Sequence, residues 1–271
     1  MEFVDSHCHI QSILKRSDQS ESRSYLNYDR SVEEVIKDAQ EEAVSTLIVV
    51  GCTLEDSRLA IKLAERYDRV WATVGIHPHE ASSFLKQKTN QREFEELLQS
   101  NKVVGIGECG LDYHYQYSRK EDQEQVLSFQ LEVAARHNLA LTFHVREAFM
   151  DFWDILDQTL ESAPKKAVLH SFTDSVQNLE IALKKNFMIG VNGIATFSRG
   201  PVQKALFKSI PLHNLILETD SPYLTPSPIR GTINEPKNIR LIAEYLHKLR
   251  GEELIDLATQ TTMNCRKLFG I

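Results

Sequence analysis

Residues 45–67, STLIVVGCTLEDSRLAIKLAERY, hold two patterns in succession. The first eight residues form an apolar run rich in Val and Ile, which is typical of a parallel strand buried on both faces. From residue 55 to residue 67 the apolar positions recur at helical spacing instead. The stretch therefore predicts one strand followed by one helix, which is the repeating unit of an α/β protein.

The same alternation continues in both directions along the 271 residues. Helical patterns occupy 32–43, 120–138 and 175–186, and Ser31 with Glu34 is typical of a capping box at the start of the first of these helices. Two further amphipathic helices follow the last strand. The eight predicted strands are 3–10, 45–52, 70–77, 103–109, 139–145, 167–172, 187–193 and 215–220.

Eight strand–helix units over this length predict a (β/α)8 TIM barrel, with residues 1–271 as a single domain. The alternative is a doubly wound sheet, which usually carries a glycine-rich phosphate loop after its first strand. The chain has no such loop. The polar stretch 11–30 is then a long first βα loop, on the functional face of the barrel.

The bulk properties limit the class of protein. A net charge of −7 argues against a large nucleic-acid footprint but is compatible with a small site where bound cations meet one or two phosphates. Four scattered cysteines without a CxxC pair indicate reduced thiols. No apolar run approaches the ~20 residues of a membrane span. We expect a cytoplasmic protein that binds no membrane and acts as a monomer without a stable protein partner.

Polar side chains that bind metals recur where the predicted strands end. In a barrel the active site lies at the C-terminal ends of the strands. Each residue alone fits a hydrogen-bonded structural role, but the set predicts a site, because buried unpaired polar groups are costly. The set consists of His7, His9, His77, Glu108, His144, His170, Glu218 and Asp220.

Strand alternation separates ligands from neighbours, because residues i and i+2 share a face. His7 and His9 are predicted to point into the barrel, and Cys8 points away into the helix layer. Cys109 likewise lies opposite Glu108. Both cysteines are therefore interpreted as small buried residues rather than ligands.

Histidines and carboxylates without thiolates suit a hydrolytic divalent-metal site. Six inward ligands are too many for one tetrahedral ion that keeps an open position, so they suggest two ions, which together activate a water. Glu108 is the natural bridging ligand, and Asp220 is the natural ligand that also orients the water. The six ligands are His7, His9, Glu108, His144, His170 and Asp220. Mg²⁺, Mn²⁺ and Zn²⁺ all remain open.

Seven phrases follow one another along the chain in the order HxH, GIHPH, GECGLD, FHVR, LHSF, ETDSPYL and RG..NEP. In these phrases the chain resembles the TatD family of metal-dependent hydrolases, within the amidohydrolase-like barrels. The resemblance implies a hydrolase acting on ester bonds, a deoxyribonuclease that trims DNA from an end. It assigns one ion to His7, His9, Glu108 and Asp220 and the other to Glu108, His144 and His170, with Asp220 also the catalytic acid/base.

Two residues near the predicted metal ligands are candidates for contacting a phosphate of the substrate. Arg146 is placed to hold a phosphate, because a guanidinium fork fits phosphate oxygens; the alternative is an ion pair with Glu147 or a neighbour. His77 contacts phosphate or the surroundings of the metals, or else is a structural turn residue before Pro78.

Further positions have supporting roles. Glu218 is expected to hold the metal ligands in position without itself binding a metal. Three residues that follow the fourth strand are candidates for stacking a base at the rim, the alternative being ordinary packing. They are Tyr113, His114 and Tyr115.

The sequence also departs from the family pattern. Ile10 and Gln11 stand where the family usually has Leu-Asp, and Thr232 and Ile233 replace two basic residues in RGTINEP. The lost charges predict weaker phosphate binding and keep open the alternative of a binuclear hydrolase for a small phosphoester, amide or lactone. A non-catalytic scaffold would predict missing ligands, and none is missing.

Overall fold

The structure, a computed structural model, describes residues 1–17, 28–160, 164 and 166–271. All eight predicted strands are present. Six of them end two or three residues before the predicted end, whereas β4 and β5 run on past it. The strands are β1 (Phe3–Cys8), β2 (Val44–Val50), β3 (Val70–Val74), β4 (Val103–Asp112), β5 (Ala140–Arg146), β6 (Ala167–Leu169), β7 (Met188–Val191) and β8 (Leu215–Leu217).

The strands form one eight-stranded sheet in sequence order. The pairs β1/β2, β3/β4, β4/β5, β5/β6 and β7/β8 are parallel. A parallel bridge between Cys8 and Ser221 connects the residues after β8 with the end of β1. Parallel strands in chain order that return to the first strand define the (β/α)8 TIM barrel, so the predicted fold class is confirmed.

Helices separate the strands as predicted. The capping box is confirmed, because the Ser31 side chain accepts from the Glu34 amide and the Glu34 carboxylate accepts from the Ser31 amide. The helices of the described residues are α1 (Val32–Glu41), α2 (Leu54–Arg66), α3 (Ala81–Phe84), α4 (Asn90–Leu97), α5 (Lys120–His137), α6 (Phe149–Thr159), α7 (Val176–Lys184), α8 (Ile194–Phe197), α9 (Pro201–Ser209), α10 (Ile239–Arg250) and α11 (Leu254–Phe269).

The loop predicted over 11–30 begins as a 3-10 helix, Ile10–Ser17. Residues 18–27 of that loop lie outside the described residues. No helix in the part of the chain that the structure describes is long and apolar enough to cross a membrane.

The chain divides into two compact units, so the single domain over 1–271 stays a prediction. The first unit comprises Met1–Val49, Ser171–Val176 and Ile189–Lys267, and the second comprises Val50–His170, Gln177–Met188 and Leu268–Ile271. The core of the first contains the buried side chains Phe3, Ile48 and Phe207. In the core of the second, the Phe143 ring packs on Phe152 and Phe187, with centroids 4.9 and 5.9 Å away.

Candidate metal centre

The first unit brings together two histidines and one aspartate, here called the first cluster: His7, His9 and Asp220. The Nε2 atoms of His7 and His9 lie 3.0 Å apart. The Oδ1 atom of Asp220 lies 3.7 Å from Nε2 of His7 and 3.3 Å from Nε2 of His9. Three predicted ligands therefore point their donor atoms at one small volume.

Backbone hydrogen bonds between the ends of β1 and β8 create this proximity. The Asp220 amide donates to the His7 carbonyl at 2.9 Å, and the His9 amide donates to the Ser221 carbonyl at 2.7 Å. Asp220 itself has a φ of 56°, the left-handed region that aspartate tolerates better than most residues. The chain turns at Asp220, so its carboxylate meets the two imidazoles.

A buried aspartate that the sequence analysis did not single out fixes the same junction. Asp5 accepts from the amide of Thr219 at 2.9 Å and from its hydroxyl at 2.5 Å, and also from the His7 amide. Burial raises the pKa of Asp5 to about 8, although these hydrogen bonds oppose the rise. Asp5 thus ties the strand that carries His7 to the residue before Asp220.

The RGTINEP phrase supports the loop after β8. The Asn234 side chain donates to the carbonyls of Thr219 and Tyr223 at 2.9 and 2.7 Å, on either side of Asp220. Thr232, one of the two departures from the family pattern, uses its hydroxyl within the loop, donating to the Ile229 carbonyl.

Glu218 is buried beside this loop, two residues before Asp220. Its Oε1 atom accepts from the Ser171 amide at 2.7 Å and from the Asn192 side chain at 3.2 Å. A Cβ on Gly190 would lie 2.3 Å from Glu218 Oε2, so only glycine leaves room for the carboxylate. Glu218 therefore holds Ser171, the residue that follows His170 in the chain.

The second unit contains a cluster around one carboxylate oxygen, here called the second cluster: Glu108, His77, His144 and His170. Oε1 of Glu108 lies 2.9 Å from Nδ1 of His144. The same oxygen lies 3.7 Å from Nε2 of His77 and 3.8 Å from Nε2 of His170. Glu108 is on β4, and the three histidines lie on or just after β5, β6 and β3, so neighbouring strands supply one site.

Asp112 determines which nitrogen of His144 is available to a metal. Its Oδ2 atom lies 3.0 Å from Nε2 of His144 and 3.0 Å from Nε2 of His79. An ionised carboxylate only accepts, so both imidazoles donate to it. Burial alone would raise the pKa of Asp112, but the hydrogen bonds from His144 and His79 outweigh it and hold that pKa below its usual range. Nδ1 of His144 is then the ligand atom.

His77 is placed differently, although its distance to Glu108 would suit a ligand. Its Nδ1 atom accepts from the His79 amide at 3.1 Å. Burial lowers the pKa of His77 to about 3, so the ring is neutral and its proton lies on Nε2, which faces Glu108. We interpret His77 as an uncharged donor rather than a ligand, and its contact to phosphate stays a prediction.

Both clusters have the dimensions of a metal site. Metal–ligand bonds of about 2.0–2.2 Å place neighbouring ligand atoms about 2.8–3.6 Å apart in tetrahedral or octahedral geometry. The separations within the first cluster are 3.0, 3.3 and 3.7 Å. Those from Glu108 to His144 and His170 are 2.9 and 3.8 Å. Three of these five separations lie within that range, and the two longest, 3.7 and 3.8 Å, exceed it by only 0.1 and 0.2 Å. The residues present therefore fit a divalent cation in each cluster.

Cys8 and Cys109 are small buried residues outside both clusters, as the strand alternation predicted, whereas the Cys52 thiol lies 3.8 Å from Oε2 of Glu108. Cys8 is buried, and its thiol donates to the Ile48 carbonyl at 3.4 Å. Cys109 is buried as well, with its thiol 3.6 Å from the Thr142 carbonyl. Burial raises the pKa of both thiols, so neither forms a thiolate readily.

The residues predicted to bind substrate lie beyond the ends of β4 and β5. The Arg146 guanidinium lies over the Tyr115 ring, 5.0 Å from its centroid, and has no ion-pair partner within the described ranges. Glu147, its predicted alternative partner, bonds His114 at 2.7 Å instead. The Tyr113 hydroxyl donates to Asp151 at 3.0 Å, and Oε1 of Glu124 lies 3.2 Å from the same oxygen.

Parallel strands in a barrel, with histidine–carboxylate clusters where the strands end, define a metal-dependent hydrolase of the amidohydrolase-like class. A family model described as TatD related DNase matches residues 4–270. The chain therefore belongs to the TatD family of metal-dependent hydrolases.

Individual relatives span nearly the same length. The chain is 35% identical over 254 residues to the uncharacterized metal-dependent hydrolase YabD of Bacillus subtilis, covering 93% of this chain and 98% of that one. It is 34% identical over 244 residues to the 3′-5′ ssDNA/RNA exonuclease TatD of Escherichia coli, covering 88% and 93%. The crystal structure of the TatD homolog YJJV from Escherichia coli aligns with a TM-score of 0.86 at 26% identity, over 99% and 98% of the two chains.

Proposed function

We propose that this protein is a divalent-metal-dependent nuclease that removes nucleotides from the ends of single-stranded DNA. The chemistry is hydrolysis of a phosphodiester, and attack from the 3′ end is the direction favoured by relatives such as the E. coli exonuclease TatD. The TatD family model covers residues 4–270, which include every strand end on which the ligands lie.

The completeness of the ligand set is the observation that carries the proposal. Each of the six predicted ligands belongs to a cluster with the spacing of a coordination shell. Two divalent ions, Mg²⁺, Mn²⁺ or Zn²⁺, held there would supply a water of lowered pKa and positive charge against the phosphate oxygens. A scaffold that had lost its activity would not preserve such a set.

The two carboxylates have separate tasks in this proposal. Asp220 orients the attacking water and accepts its proton, and later returns a proton to the leaving oxygen. Its turn is fixed by the backbone bond to His7 and by Asn234, so the carboxylate is oriented before substrate arrives. Glu108 is the common acidic ligand of the second cluster, with Oε1 facing three imidazoles.

Two residues bind the substrate phosphates in this proposal. His77 offers an N–H without a charge, because its ring stays neutral. The Arg146 guanidinium lies 5.0 Å from the Tyr115 ring centroid, and its N–H groups would donate to phosphate oxygens. Few cations are needed when bound metals carry most of the positive charge, which suits a chain of net charge −7.

The test is digestion of end-labelled single- and double-stranded DNA by metal-loaded protein. We expect metal-dependent shortening of the single strand, lost in Asp220→Ala and in Asp220→Asn. The asparagine variant tolerates the left-handed turn, so its loss of activity is not a folding defect. No shortening with Mg²⁺, Mn²⁺ or Zn²⁺ would contradict the proposal.

The alternative substrate class enters the same experiment as a second arm. Thr232 and Ile233 supply no positive charge near the loop after β8, which favours a small phosphoester, amide or lactone over a long polyanion. If the protein hydrolyses such a substrate and leaves the DNA uncut, the result would favour this alternative.

A further inference from the structure

The segment after β4 carries an aromatic stack that the proposed reaction has not used. Tyr115 and Tyr117 lie with their ring centroids 5.5 Å apart and their planes 22° from parallel. The Arg146 guanidinium lies over the Tyr115 ring at 5.0 Å. These three residues are here called the aromatic platform.

The platform is open to solvent. The Tyr117 side chain is 69% exposed and Tyr115 is 41% exposed. Single exposed aromatic residues are common on protein surfaces, but here two rings are stacked with a cation beside them. Aromatic side chains next to a positive charge are the combination with which proteins bind single-stranded nucleic acids.

The platform is also rigidly connected to the second cluster. Asp112, whose Oδ2 atom holds His144, uses its Oδ1 atom to accept from the amides of His114 and Tyr115, each at 3.0 Å. The His79 ring makes edge contacts with Tyr115 and Tyr117, with centroids 5.5 and 4.8 Å apart. One carboxylate thus fixes both a metal ligand and the start of the platform.

The far end of the segment is anchored as well. The Ser118 hydroxyl donates to the His79 carbonyl at 2.6 Å and accepts from the Ser82 amide at 3.0 Å. The Gln123 side chain donates to the carbonyls of Asp112 and Ser118. A segment held at both ends loses little conformational entropy on binding, so the platform is preorganised.

We propose that Tyr117, backed by Tyr115 and Arg146, stacks a nucleobase of single-stranded nucleic acid whose phosphate lies at the second cluster. The inference rests on the proposed function and names the part of the substrate that it leaves unassigned. Of the three candidates for stacking from the sequence, Tyr113 directs its hydroxyl to Asp151 and lies under the Lys120 ammonium, 4.5 Å from its ring centroid. The inference therefore keeps Tyr115, another of these candidates, and adds Tyr117.

Two probes of equal charge separate base stacking from phosphate binding. One is a fluorescein-labelled ten-residue oligothymidylate with phosphorothioate linkages that resist cleavage, and the other has the same backbone with abasic residues throughout. The dissociation constants are measured by fluorescence anisotropy with the metal-loaded full chain. Wild type, Tyr117→Ala and Tyr117→Phe are compared, and thermal melting checks that each is folded.

Tyr117→Ala should raise the Kd for the thymidylate probe at least about fivefold, the lower limit for loss of one stacked base. Its Kd for the abasic probe should stay at the wild-type value, and Tyr117→Phe, which keeps the ring, should restore thymidylate binding. Equal binding of thymidylate by wild type and Tyr117→Ala would overturn the inference. An equal loss on both probes, or no binding of thymidylate by wild type, would also overturn it.

Cleavage of an unmodified oligonucleotide is scored separately. If wild type cleaves it but Tyr117→Ala binds thymidylate normally, the platform is wrong and the nuclease proposal stands. If wild type discriminates the two probes through Tyr117 but cleaves nothing, the platform stands and the nuclease proposal fails.

Discussion

Asp112 and His144 form a hydrogen-bonded pair in which the carboxylate accepts from Nε2 at 3.0 Å, while Nδ1 of the same ring faces Glu108 at 2.9 Å. The carboxylate sets both the tautomer and the orientation of the imidazole. Such partners of a metal-bound histidine raise its basicity as a ligand and stop the ring from rotating. Asp112 is therefore a positioning residue for the second cluster.

Asp112→Asn should weaken metal binding about 10- to 100-fold, the usual effect of removing such a partner. The amide can no longer accept from both imidazoles through one ionised oxygen. The measurement is a competition titration with a zinc chelator, beside the melting temperature of the metal-free protein. His114→Ala is the matched control, since this neighbour bonds Glu147 rather than the cluster. An unchanged zinc affinity in Asp112→Asn would refute the positioning role.

The spacing between Glu108 and Asp112 in the sequence predicts the strand face of Asp112 but not its hydrogen-bond partners. Asp112 lies four residues after Glu108 on one strand, so alternation places both carboxylates on the same face. That signal was present in GECGLD, but no partner for Asp112 could be named, because His79 and His144 are 33 and 32 residues away. Strand alternation gives the facing direction of a side chain and not its contact.

The strands themselves were predictable because most of them are continuous apolar runs. The ends of the strands were not predictable, because the sequence pattern continues into the loops after them. Those loops carry His9, His77, His170 and Asp220. Asp5 was missed for a related reason. It interrupts an apolar strand, and its partner Thr219 is 214 residues away. Contacts between distant segments decide such positions.

His7 and Cys8 are adjacent on β1 but are predicted to face opposite sides of the strand. His7→Ala should lower the bound metal measured by elemental analysis, because it removes one donor of the first cluster. Cys8→Ala should leave metal content unchanged, because the thiol is buried against the Ile48 carbonyl. Equal loss in the two variants would show that the assignment of inward and outward faces is wrong.

Gly190 is predicted to be intolerant of any side chain. Gly190→Ala places a methyl group 2.3 Å from Glu218 Oε2 and must displace a buried carboxylate that accepts from Ser171 and Asn192. We expect a loss of about 2–4 kcal/mol in the free energy of unfolding, from overpacking and lost hydrogen bonds to a charge.

Gly200→Ala is the control for this change. A Cβ at Gly200 would have no atom within 4 Å. Because Gly200 caps α9 without a side-chain bond, the loss should stay below about 1 kcal/mol. Chemical denaturation of the three proteins provides the comparison, and similar losses in both variants would remove the special role of Gly190.

Arg146 should show its role in the salt dependence of binding. If the N–H edges of its guanidinium contact a phosphate, Arg146→Ala lowers the slope of log Kd against log salt by about 0.7, the value for one contact on a single strand. The measurement is a titration of oligothymidylate at several salt concentrations. A parallel shift with an unchanged slope would mean that Arg146 only supports the Tyr115 ring.

Glu235, the acid of the RGTINEP phrase, gives a prediction for stability against pH. Its carboxylate accepts from Tyr28 at 2.7 Å and from Arg30 at 2.6 and 2.8 Å, and Lys237 lies 2.8 Å away. Burial would raise the pKa of Glu235, but the bonds from Lys237, Tyr28 and Arg30 outweigh it and lower that pKa from 4.5. A lowered pKa in the folded state means that the ionised carboxylate stabilises the fold.

This contribution is fully present above about pH 4.5 and is lost as the pH falls through the lower pKa of the folded state. Glu235→Gln should therefore cost about 1–3 kcal/mol at pH 7, and the difference from wild type should shrink as the solution is acidified below pH 4.5. Glu180→Gln, an exposed change of equal charge on α7, should stay within about 0.5 kcal/mol throughout. Urea denaturation of the three proteins from pH 7 to pH 3 measures both effects. A Glu235→Gln deficit that is constant over this range would show that the carboxylate acts by packing rather than by charge.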